Sequence, residues 1–311
     1  MNRKALIKRA YEVKNFFTLK NPVYSRVVKR LIISMLTYDI GKGDITTDVL
    51  LRESKKGEAK IVANSDGILA GGEEFSWLYA RHGVSVKQKK NDGEQIKRGD
   101  VLFVLKGDFR MLLLLERTGL NLLQRMSGIA TKTNRVAKMV EDAILVLATR
   151  KTYWSYLDKK AVYIGGGYPH RLGLYDAILI KDNHLKAMKK EADIAVAVSR
   201  AWTKRNKTRF IEIEVRNKEE AIQVARKFRE LQESKPTKTP CIIMFDNMKP
   251  RDIHETIKTL KEMGLYEFSL FEASGGINEY NVKQYATTGV DAVSLGSLTH
   301  SAEALDIKEV F

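Results

Sequence analysis

Residues 209–247 read RFIEIEVRNKEEAIQVARKFRELQESKPTKTPCIIMFDN, and this stretch decides the fold. RFIEIEV (209–215) is rich in β-branched and aromatic residues, 217–233 is an amphipathic helical run, and CIIMFDN (241–247) is a second apolar strand. Strand, helix and strand in succession make a βαβ unit, whose two strands lie parallel in one sheet. The alternation extends outward in both directions. ILVLATR (144–150), AVYIGGG (161–167), AILIKD (177–182), EFSLFEASGG (267–276) and AVSLGS (292–297) read as further strands, with more helical runs at 188–204 and 250–263. Seven strand runs, with no room for a helix between the second and third, predict an irregular α/β barrel short of the regular eight.

Upstream the texture changes. Residues 3–38 carry apolar residues at helical spacing, such as Leu31, Ile32, Met35 and Leu36, with a break at Asn21-Pro22. A glycine and threonine turn, GKGDITTD (41–48), follows. From Gly57 to Gly107 short β-like runs are separated by the turn pairs Asp66-Gly67, Gly71-Gly72, Asp92-Gly93 and Gly99-Asp100, the pattern of a small α+β domain. A long apolar-periodic helix begins after Met111.

The chain has 311 residues, 44% of them hydrophobic, enough for a sizeable core. The longest apolar stretches fall far short of the roughly 20 residues that span a bilayer, so no membrane segment is expected. The basic, mixed N-terminus lacks the apolar core of a secretory signal, and the expected location is cytoplasmic. A single cysteine, Cys241, excludes an intrachain disulfide and reads as inert core packing. The formal charge of +16 fits a scattered lysine-rich surface, an acidic small substrate or nucleic acid. The nucleic-acid reading lacks an aromatic RNA-binding motif, zinc ligands or a localised basic arm.

In a β/α barrel the active site assembles at the C-terminal ends of the strands. Here those ends run into Arg150-Lys151, His170-Arg171, Lys181, Glu214, Asp246, Ser274-Gly275-Gly276 and Gly296-Ser297. Five cationic or potentially cationic residues in one cleft repel one another unless an anionic ligand is present, which predicts a substrate bearing carboxylates or phosphates. Glu214 and Asp246 beside them can hold Mg²⁺ or offset positive charge on a sugar carbon. The glycine and serine turns at the last two strands suit phosphate. Each piece has a plainer reading: strand-terminal surface charge for Arg150 and Lys151, a structural histidine at His170, and tight turns at the glycines. Glu212 shares a strand face with Glu214, and one of the two can serve a buried ion pair inside the barrel. The run Gly165–Gly167 lacks G-x-G-x-x-G spacing, and no Walker A, H-E-x-x-H or G-x-S-x-G motif occurs.

The strings GDITTD (43–48), ERTGLNLLQRMSGIAT (116–131), ATRKT (148–152), GGGYPHRLGLYDAILIKDNH (165–184), IEIEV (211–215), MFDN (244–247), EASGGI (272–277) and GVDAVSLGSLTHS (289–301) occur in this order. Together they closely resemble the quinolinate phosphoribosyltransferase family, type II phosphoribosyltransferases also called nicotinate-nucleotide pyrophosphorylases (carboxylating). The resemblance implies an N-terminal open-faced α/β sandwich domain over 1–115, with a C-terminal helix packing back on it, and a catalytic α/β barrel over 116–311. It implies transfer of phosphoribosyl from phosphoribosyl pyrophosphate to quinolinate with decarboxylation, giving nicotinate mononucleotide in NAD biosynthesis. The implied assembly is a homodimer or higher homo-oligomer with shared sites, without membrane or nucleic-acid partners.

By the same resemblance, Arg117 reaches in from the partner subunit, and Arg150, His170, Arg171 and Lys181 surround the two quinolinate carboxylates. Lys151 holds donor phosphate oxygens, while Ser274, Gly275, Gly276, Gly296 and Ser297 cradle the 5′-phosphate. Lys151, Lys181, Glu214 and Asp246 are the expected catalytic set, with Glu214 and Asp246 near the ribose hydroxyls and Mg²⁺, directly or through water. The chain departs from the family after Thr152, where a Thr-Pro-Gly turn and a further Arg are usual and YWSYLDKKAV stands instead. Lys159 and Lys160 are the candidate replacements for that charge. The departure motivates an alternative, a sister transferase of the same fold acting on another acidic base, as in the branch linked to molybdenum transport loci.

Overall fold

The structure, a computed structural model, describes residues 2–13, 15–51, 53, 55–140, 143–189 and 193–311. They form two compact units. One comprises Val13–Asn134, Thr152–Gly166 and Leu298–Phe311, the other Met1–Glu12, Arg135–Lys151 and Gly167–Ser297. This grouping differs from a single cut after residue 115, because the first helix goes with the strand-rich C-terminal part while 152–166 and the C-terminus go with the N-terminal part.

The first unit, the sandwich unit, is built on strands β1 (Lys56–Ala63), β2 (Gly67–Ile68), β3 (Ser85–Gln88), β4 (Gln95–Ile96) and β5 (Val101–Asp108). A C-terminal strand, which becomes β12 (Ile307–Val310) in chain order, completes an antiparallel sheet β12-β1-β5-β3, and β2 pairs with β4. The expected C-terminal helix is thus a strand: Ile307 is buried and Lys308 exposed, a strand's alternation. One face of the sheet is covered by the helix Gly72–Arg81, whose Phe75 ring sits 4.7 Å from that of Phe103. The break at Asn21-Pro22 is a helix start. The Asn21 side chain accepts from the amides of Val23 and Tyr24, Pro22 takes the first turn, and Pro22–Ile40 buries Tyr24, Val28, Ile32 and Leu36.

The run AVYIGGG (161–167), expected as a strand, is instead the end of a helix, Tyr156–Ile164. Its apolar residues serve either period, and every residue from Tyr156 to Val162 is buried. Gly165 ends it at close approach to the long helix Phe109–Val140, where a Cβ would stand 2.4 Å from the Ala130 carbonyl oxygen. Asp158, fully buried, receives two bonds of 2.8 Å from Arg125 and the backbone amides of Tyr153 and Trp154. The Arg125 guanidinium lies over both aromatic rings, at 5.1 and 5.2 Å. The segment that departs from the family is therefore organised around one arginine.

Glu309 of β12 sits beside Glu116 and the Tyr79 hydroxyl, and burial followed by Glu116 pushes its carboxyl up to about 7. An acid whose folded pKa is raised takes up protons on folding, so its stability contribution is lost as pH climbs from the ordinary carboxyl range through about 7. Glu309→Gln is expected to match the parent at pH 5 and exceed it at pH 8 by about 1–2 kcal/mol, allowing for partial solvent screening. Melting temperatures of the two proteins at the two pH values check this.

The second unit, the barrel unit, holds the parallel strands β6 (Leu145–Leu147), β7 (Ile178–Ile180), β8 (Ile211–Val215), β9 (Cys241–Asp246), β10 (Leu270–Ser274) and β11 (Ala292–Ser294). Their order is β6-β11-β10-β9-β8-β7, with Tyr168 adding a single parallel bridge beside Leu147. The family's irregular α/β barrel is present, with six strands plus this bridge. The helices Ile194–Trp202, Lys218–Ser234 and Pro250–Glu262 follow β7, β8 and β9. The N-terminal helix Arg3–Tyr11 packs Ala10 and Tyr11 into a buried cluster with Phe210, Ile242 and Leu270. Cys241 is buried and its thiol is pushed up by that burial, as an inert core residue requires. Among the described residues no helix is long and apolar enough to cross a membrane.

Candidate active site

Parallel pairing aligns the strand ends of the barrel unit. Glu214 stands opposite Met244, Asp246 opposite Ser274, and Ser294 opposite Leu147. The residues one to four positions later therefore crowd one end: Arg150 and Lys151 after β6, Gly296 and Ser297 after β11, and Gly275 and Gly276 after β10. This adjacency follows from the ladders and needs no long-range coincidence of side chains.

The cations and acids of that end divide into exposed and buried sets. Arg150 is exposed, whereas Arg171 retains only 6% of its surface. Burial first, and Arg150 next, lower the Arg171 pKa, against the pull of Glu212, Glu214 and Asp176. A guanidinium whose charge is disfavoured by burial and by a neighbouring arginine marks a place where an anion is favourable. Lys181 donates to Glu214 at the next strand end, and Asp246 accepts from the Asn247 side chain at 2.9 Å. The Lys151 amide donates to Thr149 Oγ1 at 3.1 Å.

The turn after β10 is shaped for close backbone approach. Gly275 and Gly276 have φ of +94° and +63°, and a Cβ on Gly275 would lie 2.3 Å from the Asn247 side-chain oxygen, so only glycine fits there. The Ser274 and Ser294 hydroxyls are 3.0 Å apart. Ser297 Oγ is buried without a hydrogen-bond partner, a donor available for an acceptor such as a phosphate oxygen.

His170 lies lower. It is 5% exposed, and its Nε2 is 3.0 Å from Glu212 and 3.3 Å from Glu272, both fully buried. The two carboxylates outweigh burial and raise the histidine to about 9, and burial together with Glu272 lifts Glu212 to about 7. The Arg171 amide donates to Nδ1 at 2.7 Å, which leaves no room for a proton on that nitrogen. The Nε2 proton therefore faces Glu212 and Glu272. This His/Glu/Glu group is also a set of ligand atoms that could coordinate a divalent metal, with a nitrogen donor that does not single out Mg²⁺.

Among the expected residues, Arg150, Lys151, Arg171, Lys181, Glu214, Asp246, Ser274, Gly275, Gly276, Gly296 and Ser297 all belong to the barrel unit. Arg117 belongs to the sandwich unit, on the helix Phe109–Val140, with its side chain 59% exposed and Glu116 at 3.5 Å. Lys160 is not a replacement cation for an acid ligand, because it is buried against Glu73 and Glu74 at 2.8 and 2.7 Å. Lys159 is buried as well. Sequence reasoning flagged Glu212 as a possible interior ion-pair partner and missed Glu272 and Tyr11. The available signal for Glu272 was an acid set within the otherwise apolar run Leu270–Ala273.

The family model for the N-terminal domain of quinolinate phosphoribosyl transferase matches residues 44–127, and that for its C-terminal domain matches 129–309. The chain is 40% identical over 285 residues to a Methanocaldococcus jannaschii protein named probable nicotinate-nucleotide pyrophosphorylase (carboxylating), covering 89% of this chain and 95% of that one. A Bacillus subtilis protein of the same name is 38% identical over 287 residues, covering 90% and 92%. A solved structure of nicotinate-nucleotide pyrophosphorylase from Francisella tularensis superposes with a TM-score of 0.77 at 31% identity, over 91% of this chain and 95% of that one. The corresponding enzyme structure from Ehrlichia chaffeensis gives 0.77 at 30%, over 91% and 97%. With both domain models matched in order, the chain belongs to the quinolinate phosphoribosyl transferase family.

Proposed function

We propose that the protein transfers the phosphoribosyl group of phosphoribosyl pyrophosphate to quinolinate, releasing pyrophosphate and CO₂ and forming nicotinate mononucleotide for NAD biosynthesis. The observation that carries this reading is the gathering of Arg150, the buried Arg171 and the Lys181–Glu214 pair at the ends of one parallel sheet, an arrangement that suits a dicarboxylate. The curated relatives of this family, 40% and 38% identical, bear the name of that activity.

In this reading Arg150, Arg171 and Lys181 grip the two carboxylates, and His170 acts from beneath. That grip aims the pyridine nitrogen at C1 of the ribose, converting an encounter into an oriented step. Lys151 holds donor phosphate oxygens. The turns Ser274-Gly275-Gly276 and Gly296-Ser297 take the 5′-phosphate, and Ser297 Oγ gains its missing acceptor. The N–C1 bond forms as the C1–pyrophosphate bond breaks, and Glu214 and Asp246 offset the positive charge that builds on C1. The pyridinium then accepts the electron pair of the C2–carboxylate bond as CO₂ leaves, and a proton replaces the carboxylate on that carbon.

Glu214 and Asp246 offer only carboxylate oxygens, the donor type that Mg²⁺ prefers alongside water and substrate phosphates, so they fit this ion better than the His/Glu/Glu group does. When bound, Mg²⁺ neutralises charge on the departing pyrophosphate. The working form in this reading is a homodimer or higher homo-oligomer in which Arg117 serves the site of the partner subunit.

Incubation with quinolinate, phosphoribosyl pyrophosphate and Mg²⁺ is expected to give nicotinate mononucleotide, detected by mass. Donor-dependent thermal stabilisation with no product and no response to quinolinate would instead favour a sister transferase for another acidic base.

A further inference from the structure

Inside the barrel unit, below the strand ends, lie three buried groups around His170, those of Tyr11, Glu212 and Glu272, that have no part in the proposed reaction. The Tyr11 hydroxyl donates to Glu272 Oε2 at 3.2 Å, and the same oxygen is 3.3 Å from His170 Nε2, which is 3.0 Å from Glu212. Tyr11, Glu212 and Glu272 are each 0% exposed. The imidazole is wedged between the Phe210 ring at 5.3 Å and the Tyr11 ring at 6.1 Å. Isolated carboxylates at such depth are costly, so all of these groups must stay in register with the histidine.

The backbone at His170 ties this interior to the surface. Its φ is +54°, a left-handed conformation uncommon for a residue with a side chain. Its carbonyl accepts from the Arg209 guanidinium, and Arg209 pairs with Asp176 at 2.9 Å. Its Nδ1 accepts the amide of the next residue, Arg171. The ring cannot turn without giving up that amide and the ion pair with Glu212, whose oxygens have no hydrogen-bond partner.

We infer that Tyr11, Glu212 and Glu272 are positioning residues for acid binding: they lock the His170 ring, and through the His170–Arg171 turn they fix where the Arg171 guanidinium stands. The N-terminal helix Arg3–Tyr11 thereby reaches the substrate site through one hydroxyl. The inference rests on the reading of Arg171 as an acid-binding residue.

Tyr11→Phe removes only the hydroxyl and keeps the ring packing. It is expected to raise KM for quinolinate about 5–10-fold, with kcat and KM for phosphoribosyl pyrophosphate within about 2-fold, as the loss of one hydrogen bond to a charged group allows. Glu272→Gln is expected to act in the same direction and more strongly. A purely structural role would lower the melting temperature and leave KM for the acid alone. Unchanged KM in Tyr11→Phe, or KM values for both substrates rising together, would overturn the inference. So would one divalent ion per chain in the purified protein that is lost in Glu272→Gln, because the cluster would then be a metal site. Wild-type protein that does not turn over quinolinate sinks the functional reading, and the inference with it; active wild type with an unaltered Tyr11→Phe variant sinks the inference alone.

Discussion

Arg171→Ala is expected to raise KM for quinolinate by about 100-fold or more, while KM for the sugar donor moves little. Arg171 is 6% exposed, and its charge is disfavoured by burial and by Arg150. A bound carboxylate reverses that balance, so the pairing is made where water is largely excluded. Truncating one partner of such a buried charge pair costs about 2–5 kcal/mol, or at least tens-fold in affinity. Arg150 is exposed and its truncation should cost less. Steady-state kinetics with each substrate varied in turn separates the two effects. A change below about 3-fold in Arg171→Ala would mean that the acid is held elsewhere.

Lys160→Met is expected to destabilise the protein by about 3–5 kcal/mol, the usual result of leaving a buried charge without its partner. Lys160 bonds Glu73 at 2.8 Å and the fully buried Glu74 at 2.7 Å, and Glu74 also accepts from the Tyr24 hydroxyl at 2.8 Å. Burial would lower the lysine, but Glu74 and Glu73 outweigh it and hold the ammonium charged. Burial already raises Glu74 despite Lys160, and removing the lysine raises it further. An acid raised in the folded state loses its stabilising contribution as pH rises, so the variant should be weaker at pH 8 than at pH 5. Adding Glu74→Gln should recover part of the loss, since a neutral pair no longer carries an unmatched charge. Chemical denaturation of the single and double variants measures this. The folded Lys160→Met protein should keep its KM for quinolinate, because Lys160 is occupied within the sandwich unit.

Much of the barrel was legible because its strands are short apolar runs that end on polar residues. RFIEIEV shows the period of two, CIIMFDN is a short continuous apolar run, and the helix between them fixes both as parallel strands. AVYIGGG misled because four apolar or aromatic residues before a glycine turn satisfy a strand and a helix equally; packing against Phe109–Val140 chose the helix. The C-terminus misled in the opposite way, since IKEV is too short to reveal its period until β1 pairs with it. At the site, the cations and glycines were legible from the strand ends. Glu272 and Tyr11 were not, because their contact joins residues 261 positions apart, and Tyr11 in sequence is one more aromatic on an amphipathic helix. The split between Glu212 and Glu214 was visible as alternation, but which of them lies inside depends on depth along β8, and the buried one is Glu212.

A single strand-end site that grips a pyridine dicarboxylate and passes it a ribose must couple loss of the C2 carboxylate to release of pyrophosphate. Quinolinate labelled at the C2 carboxylate tests it most directly, with CO₂ and pyrophosphate followed together in the presence of phosphoribosyl pyrophosphate and Mg²⁺. Labelled CO₂ released in step with pyrophosphate, and none without the donor, is the predicted result. Pyrophosphate formed without labelled CO₂, or no release of either by folded protein, would contradict it.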